Sequence, residues 1–192
     1  MAITINGDGT ISGVSVGGLP DGIVDADMIA ADAVTAAKVA FKGFVSYAII
    51  CDQKAQNTQG GTATNGAYRT RDLNTEIADP DSIVSIASNQ FTLQAGSYLI
   101  EASAPAYDVH GHQARLYNAT TSTVVQLGTT NVADASGNVL NHSLVAARVV
   151  ITGATAFEIQ HRVVTTKPST GFGVAINLNE EIYTVVKIYK EA

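Results

Sequence analysis

From Phe44 onward, short runs rich in aromatic and β-branched residues alternate with clusters of Gly, Asn, Asp and Pro, and no other feature limits the fold as much. Phe44–Cys51 is apolar on both faces, as in a strand covered from two sides. Tyr98–Ala104 sets Tyr98, Ile100, Ala102 and Ala104 against Leu99, Glu101 and Ser103, and Phe157–Val163 alternates more sharply still. Further strands fit Tyr68–Leu73, Gln113–Asn118, Thr123–Leu127, Leu140–Ile151 and Glu181–Tyr189, with turns at Ala78-Asp79-Pro80-Asp81 and Lys167–Gly171. Helical runs of about 10 to 15 residues are missing between these strands, which excludes a parallel α/β sheet and leaves an antiparallel sandwich or barrel.

The first 43 residues read differently. Val14, Leu19, Val24, Ile29, Val34, Val39 and Phe44 recur at every fifth position, a period that matches neither helix nor strand. Short helical pieces are expected after Asp25, Asp27 or Thr35, too short to be stable alone, so the segment requires neighbouring chains or a docking site. The predicted organisation is an attachment and trimerisation segment at 1–43 and a head domain at 44–192.

The chain of 192 residues, 46% of them apolar, is long enough for a self-sufficient core. Its single cysteine, Cys51, lies in an apolar run and is expected as a buried free thiol. Met1–Gly7 reads as strand and turn with no basic and apolar leader, and no run approaches the roughly 20 apolar residues of a membrane span, so a soluble protein without a secretion signal is expected. A net charge of −6 opposes nucleic-acid binding, which needs clustered Lys and Arg.

Catalytic signatures are weak. The sequence has no Gly-Xaa-Ser-Xaa-Gly elbow, and His161 shares an apolar face with Phe157, Ile159 and Val163, the setting of a core histidine. His110-Gly111-His112 with His142 is the best metal candidate, against a plain loop bearing solvated histidines; no cofactor is expected. Asp79-Pro80-Asp81 and Asn179-Glu180-Glu181 lack the pattern of a calcium loop and read as solvated turns. Gly60–Gly66 lacks the Lys-Ser/Thr of a phosphate loop and reads as a flexible connection; with Val132–Asn138 and Thr165–Phe172 it completes a set of loops available for recognition. Thr62, Asn65, Asn131, Asp134, Thr170 and Phe172 are the candidate receptor-facing residues, and Tyr68, Tyr107, Tyr117 or Phe172 would have to supply any sugar platform.

Asn89–Ile100, a short strand with Phe91 leading through Gly96 to a strand with Tyr98, resembles the tumour necrosis factor and complement globular-head superfamily. Gly66–Glu76, with Arg115–Asn118, Phe157–Arg162 and Gly171–Ala175, resembles the C-terminal domain of bacteriophage tail fibre proteins over about residues 44–190, and the repeat around Ile23–Ala40 resembles fibre attachment regions. The resemblance implies an all-β antiparallel jelly roll, homotrimeric, displayed on a virion as a short tail fibre or fibre tip. Val24, Ile29, Val34 and Val39 would then dock to baseplate or tail proteins, and the head would meet a host glycan or protein. A capsid decoration or baseplate protein without a receptor is the alternative, and a glycan depolymerase is a third reading. Trimerisation also has a physical motive, because Phe44–Cys51 and Ile182–Tyr189 carry more apolar surface than one sandwich covers. Tyr47, Leu99, Glu101, Tyr183 and Val185 are the expected interface residues, with Arg115 or Arg148 to pair Glu101.

Overall fold

The structure, a computed structural model, describes residues 43–134, 136 and 138–192, together with the backbone of Thr4–Ile5 (β1) and Ile11–Ser12 (β2). The chain divides into two units, Met1–Phe41 and Lys42–Ala192. In the first, β1 and β2 pair antiparallel. The expected docking residues Val24, Ile29, Val34 and Val39, and the expected helical pieces, lie outside the described residues.

In the second unit the alternating runs become strands: β3 (Phe44–Lys54), β4 (Arg69–Thr70), β5 (Thr75–Ala78), β6 (Val84–Ala87), β7 (Gln90–Leu93), β8 (Gly96–Tyr107), β9 (His110–Asn118), β10 (Thr123–Ala133), β11 (Leu140–Ile151), β12 (Thr155–Val163) and β13 (Glu181–Glu191). Two antiparallel sheets result. One runs β11-β8-β13-β3-β5; the other runs β10-β9-β12-β7-β6, with β4 also paired to β12. The neighbours are mostly distant in sequence, as in a jelly roll.

Residues of period two from both sheets meet between them. Ile50, Ile100 and Ile188 from one sheet and Phe91, Leu116, Phe157 and Ile159 from the other are fully buried, and the Phe91 and Phe157 rings stack at 5.7 Å. Tyr98 joins this core as expected, its hydroxyl donating to the Gln94 carbonyl at 3.0 Å across the corner made by Gly96. Cys51 is a buried free thiol.

Along one side the sheets are stitched by a buried hydroxyl. Ser143 of β11 donates to the Thr129 carbonyl of β10 at 2.6 Å and accepts from the Ala114 amide of β9 at 2.9 Å. Gly128 lets β10 approach this closely, since a Cβ there would sit 2.7 Å from the Leu144 carbonyl oxygen.

Two local expectations need correction. The strand foreseen over Tyr68–Leu73 is shorter, with Arg69 and Thr70 paired to β12 and the Arg71 amide making a last bond to the Ile159 carbonyl at 2.8 Å while its side chain is buried in the core. Gly60–Gly66 is no flexible connection either. It is laced to Thr165–Gly173 by main-chain hydrogen bonds between Ala63 and Lys167 in both directions, from Gly61 to Ser169, from Phe172 to Gly61 and from Gly60 to Gly173. Among the described residues no helix is long and apolar enough to cross a membrane.

Candidate functional site

The outward face of the five-stranded sheet is built by register. Arg148, Leu99, Tyr189 and Tyr47 form one row across β11, β8, β13 and β3; Ala146, Glu101, Lys187 and Ile49 form the next; Leu144, Ser103, Val185 and Cys51 form a third. Apolar side chains dominate it. Tyr47 is 44% exposed and Leu144 54%, and a cleft of about 740 Å³ opens where Leu127 and Thr129 of β10 overhang Leu144, Val185, Glu101 and Lys187. In-register charges are the exception: Glu101 and Lys187 lie opposite each other, and neither has a hydrogen bond or ion pair among the described residues.

Four of the five expected interface residues, Tyr47, Leu99, Glu101 and Val185, thus share one face. Tyr183 does not belong with them, because its own subunit covers it. It is 5% exposed, and its hydroxyl donates to the Thr58 carbonyl at 2.7 Å. Glu101 also lacks the expected partners within the chain. Arg148 pairs with Glu191 at 2.6 Å, and Arg115 donates to Gln160 on the other sheet.

The three expected recognition loops meet at one end of the sandwich. The Tyr107 amide donates to the Gly171 carbonyl at 3.0 Å, and the Asp108 amide donates to Val139 at 3.1 Å. Thr62, Asn65 and Asp134 are exposed there, Asn131 and Thr170 half-buried. Phe172 is not a receptor contact or sugar platform, since it is buried between the Arg71 guanidinium, 4.1 Å from its ring centre, and the His161 ring at 5.7 Å. Tyr107 donates to Asn138 Oδ1 at 2.7 Å and lies near the Lys167–Asp108 ion pair.

Beneath this end is a buried polar chain that the sequence reading missed apart from His161. The Asn141 amide nitrogen donates to the Val132 carbonyl at 2.5 Å, so its Oδ1 must accept from His112 Nε2, also at 2.5 Å. His112 Nδ1 is then an acceptor for His161 Nε2–H at 2.9 Å, which leaves His161 Nδ1 a buried lone pair with no partner. Burial holds both imidazoles below the usual histidine pKa, and the nearby Arg71 adds to the effect. Arg71 itself is fully buried, donating to Thr184 Oγ1 at 2.8 Å and to the carbonyls of Phe172 and Pro105 at 2.8 and 3.2 Å. Desolvation lowers its pKa to about 10, so it stays charged at neutral pH.

The metal candidates do not converge. Both ring nitrogens of His112 are engaged in the buried chain, His110 is exposed, and His142 Nδ1 bonds to Ser103 Oγ at 2.9 Å. Among the described residues no three His, Cys, Asp or Glu side chains form a metal-binding group. The two calcium candidates are used locally. Asp79 accepts from the Ile83 and Val84 amides at 2.8 and 2.9 Å, and Glu181 accepts from the amides of Asn177, Ile176 and Asn57, bonds that depress its pKa.

No protein-family model matches the chain, and no curated protein sequence matches it. Solved structures do. The crystal structure of murine APRIL at pH 5.0 superposes with a TM-score of 0.50 at 7% identity, covering 76% of this chain and 98% of that one. The globular domain of zebrafish complement 1qA gives 0.47 at 14% identity over 75% and 95% of the two chains. PRD1 vertex protein P5 gives 0.46 at 12% identity over 77% and 98%. The likeness is one of fold.

Proposed function

We propose that the chain is a non-enzymatic structural and binding module in which three copies pack through the outward face of the five-stranded sheet, forming the head of a virion fibre attached by its first 43 residues. The carrying observation is that face: Tyr47, Tyr189 and Leu99 in one row and Val185 and Leu144 in another put apolar side chains on both sides of the Glu101 and Lys187 row, and Tyr47 and Leu144 are exposed. Glu101 and Lys187, opposite each other on β8 and β13, form no ion pair or hydrogen bond among the described residues, so each is open to an opposite charge on a neighbouring copy. The virion setting is supported by the resemblance of 44–190 to tail fibre domains and of the repeat to fibre attachment regions.

Light scattering on the purified chain tests the association. A mass of three chains is expected, and a stable single-chain mass at micromolar concentration overturns it. Antibody labelling of particles then tests the location, with signal at the tail tip expected and signal confined to the capsid shell favouring the decoration alternative.

A further inference from the structure

The opposite sheet turns a different surface outward. Tyr117, Arg115 and Gln113 of β9 alternate with the buried Leu116 and Ala114, and Glu158, Gln160 and Arg162 of β12 lie on the same side. Arg115 is held unusually firmly for a surface arginine. Its guanidinium lies 3.7 Å from the Tyr68 ring centre and 5.1 Å from that of Tyr117, and Gln160 Oε1 accepts from both Nε and Nη2, at 2.7 and 2.5 Å. A guanidinium has five N–H donors. Those on Nη1 have no acceptor among the described residues.

Arg162 stands diagonally across from Arg115, since Arg115 faces Gln160 and Arg162 faces Gln113. Such diagonal positions are roughly 7–8 Å apart, close enough for one anion to meet both side chains. Arg162 is exposed and has no hydrogen bond or ion pair among the described residues. Glu158, on the same side of β12, forms no ion pair with either arginine; it is 8% exposed and accepts from Thr70 Oγ1 at 3.0 Å and from the Gln160 amide. In a chain of 17 acidic and 11 basic residues, two adjacent unpaired arginines are a local reversal of charge.

A cleft of about 230 Å³ is lined by Arg162 with Tyr68, Gln113, Thr130 and Val164, and Arg115 borders it by stacking on Tyr68. That is below the roughly 300–1,000 Å³ of enclosed small-molecule sites and suits one ring lying on the surface. Neutral groups at its rim are linked to one another, the Tyr68 hydroxyl donating to Gln113 Oε1 at 3.4 Å and Gln113 Nε2 donating to the Gly128 carbonyl at 2.9 Å and to Thr130 Oγ1 at 3.2 Å, which leaves the Thr130 hydroxyl hydrogen and the free lone pairs of Tyr68 and Gln113 for sugar hydroxyls. Two arginines in a chain of net charge −6 are too few for a nucleic acid.

We propose that Arg115 and Arg162 form a binding site for an acidic saccharide, the arginines holding a carboxylate or other oxyanion while Tyr68, Gln113 and Thr130 contact the sugar ring. Gln160 and the two tyrosines fix the plane of Arg115 in advance, which removes part of the ordering cost of binding. The site lies on the sheet opposite the association face and does not rest on the trimer or the virion reading.

The test is titration calorimetry of the full chain with a short oligogalacturonate, a neutral oligogalactoside of the same length and inorganic phosphate. Binding of the oligogalacturonate is expected, weakening about tenfold in Arg162→Gln and by at least as much in Arg115→Gln, with the association mass of Arg162→Gln unchanged. Failure of the wild type to bind oligogalacturonate, equal binding of the neutral sugar, or full affinity in Arg162→Gln overturns the proposal. Phosphate binding as tight as the acidic sugar, with the same dependence on Arg162, overturns the assignment to a saccharide.

Discussion

The ring of Tyr183 occupies the space where a side chain on Gly173 would stand: a Cβ on Gly173 falls 2.1 Å from Tyr183 Cδ1. Gly173 also has φ of +145°, a conformation other residues rarely adopt. The tyrosine hydroxyl bonds to Thr58 at 2.7 Å, so the ring cannot withdraw without losing that bond. This contact ties the 172–180 segment to β13 and removes Tyr183 from the outer face. Gly173→Ala should therefore destabilise the head by roughly 2–4 kcal/mol, read as a lowered urea midpoint. A midpoint within error of wild type would show that the segment yields freely.

Arg71 is the second anchor. Its guanidinium serves Thr184, Pro105 and Phe172 from inside the core, so truncation leaves three buried acceptors unmatched and a cavity beside Phe172. Arg71→Ala is expected to cost about 3–5 kcal/mol in chemical denaturation. Arg71→Lys should recover only part of the loss, because an ammonium cannot span three divergent acceptors.

Acid should weaken the head through His112 and His161. Both are buried and held neutral, with folded pKa values below the unfolded value, so the unfolded chain takes up protons first as pH falls. Stability is complete above the unfolded histidine pKa of about 6.5 and declines as pH drops below it toward the folded values. The charged group facing the pair is Arg71, with His142 nearby, and Asn141 is its hydrogen-bond partner. Thermal denaturation between pH 7 and 5.5 should show the midpoint falling by more than about 2 °C. The double variant His112→Leu, His161→Leu should show a smaller fall over the same range; an identical slope would place the acid sensitivity elsewhere.

Charge on the outer face should govern association. Leu144→Asp or Val185→Asp places a carboxylate in the apolar surface beside Glu101 and should shift the light-scattering mass toward one chain. Glu101→Lys places two ammonium groups opposite each other and should do the same, whereas Glu101→Lys combined with Lys187→Glu should restore assembly. Failure of the swap to restore it would mean that the two side chains do not meet across subunits.

Strand identity was legible wherever one face of a strand is wet. The alternation of Phe157–Val163 and Tyr98–Ala104 placed β12 and β8, and the range Leu140–Ile151 matches β11 residue for residue. Short pieces were harder. Thr75–Ala78 and Val84–Ala87 are too brief to show a period, and Arg69-Thr70-Arg71 reads as a longer strand than it makes.

By itself the sequence determined the class of fold and the alternation that turns Tyr47, Leu99, Glu101 and Val185 to one face, because period-two patterning is a local property. Only the tertiary structure decided which polar residues go inside. Arg71, His112, Asn141 and Ser143 look like surface residues in the chain, and they are satisfied by carbonyls and side chains from other strands. Pairing of that kind depends on which strands become neighbours across the jelly roll, and no local pattern encodes it.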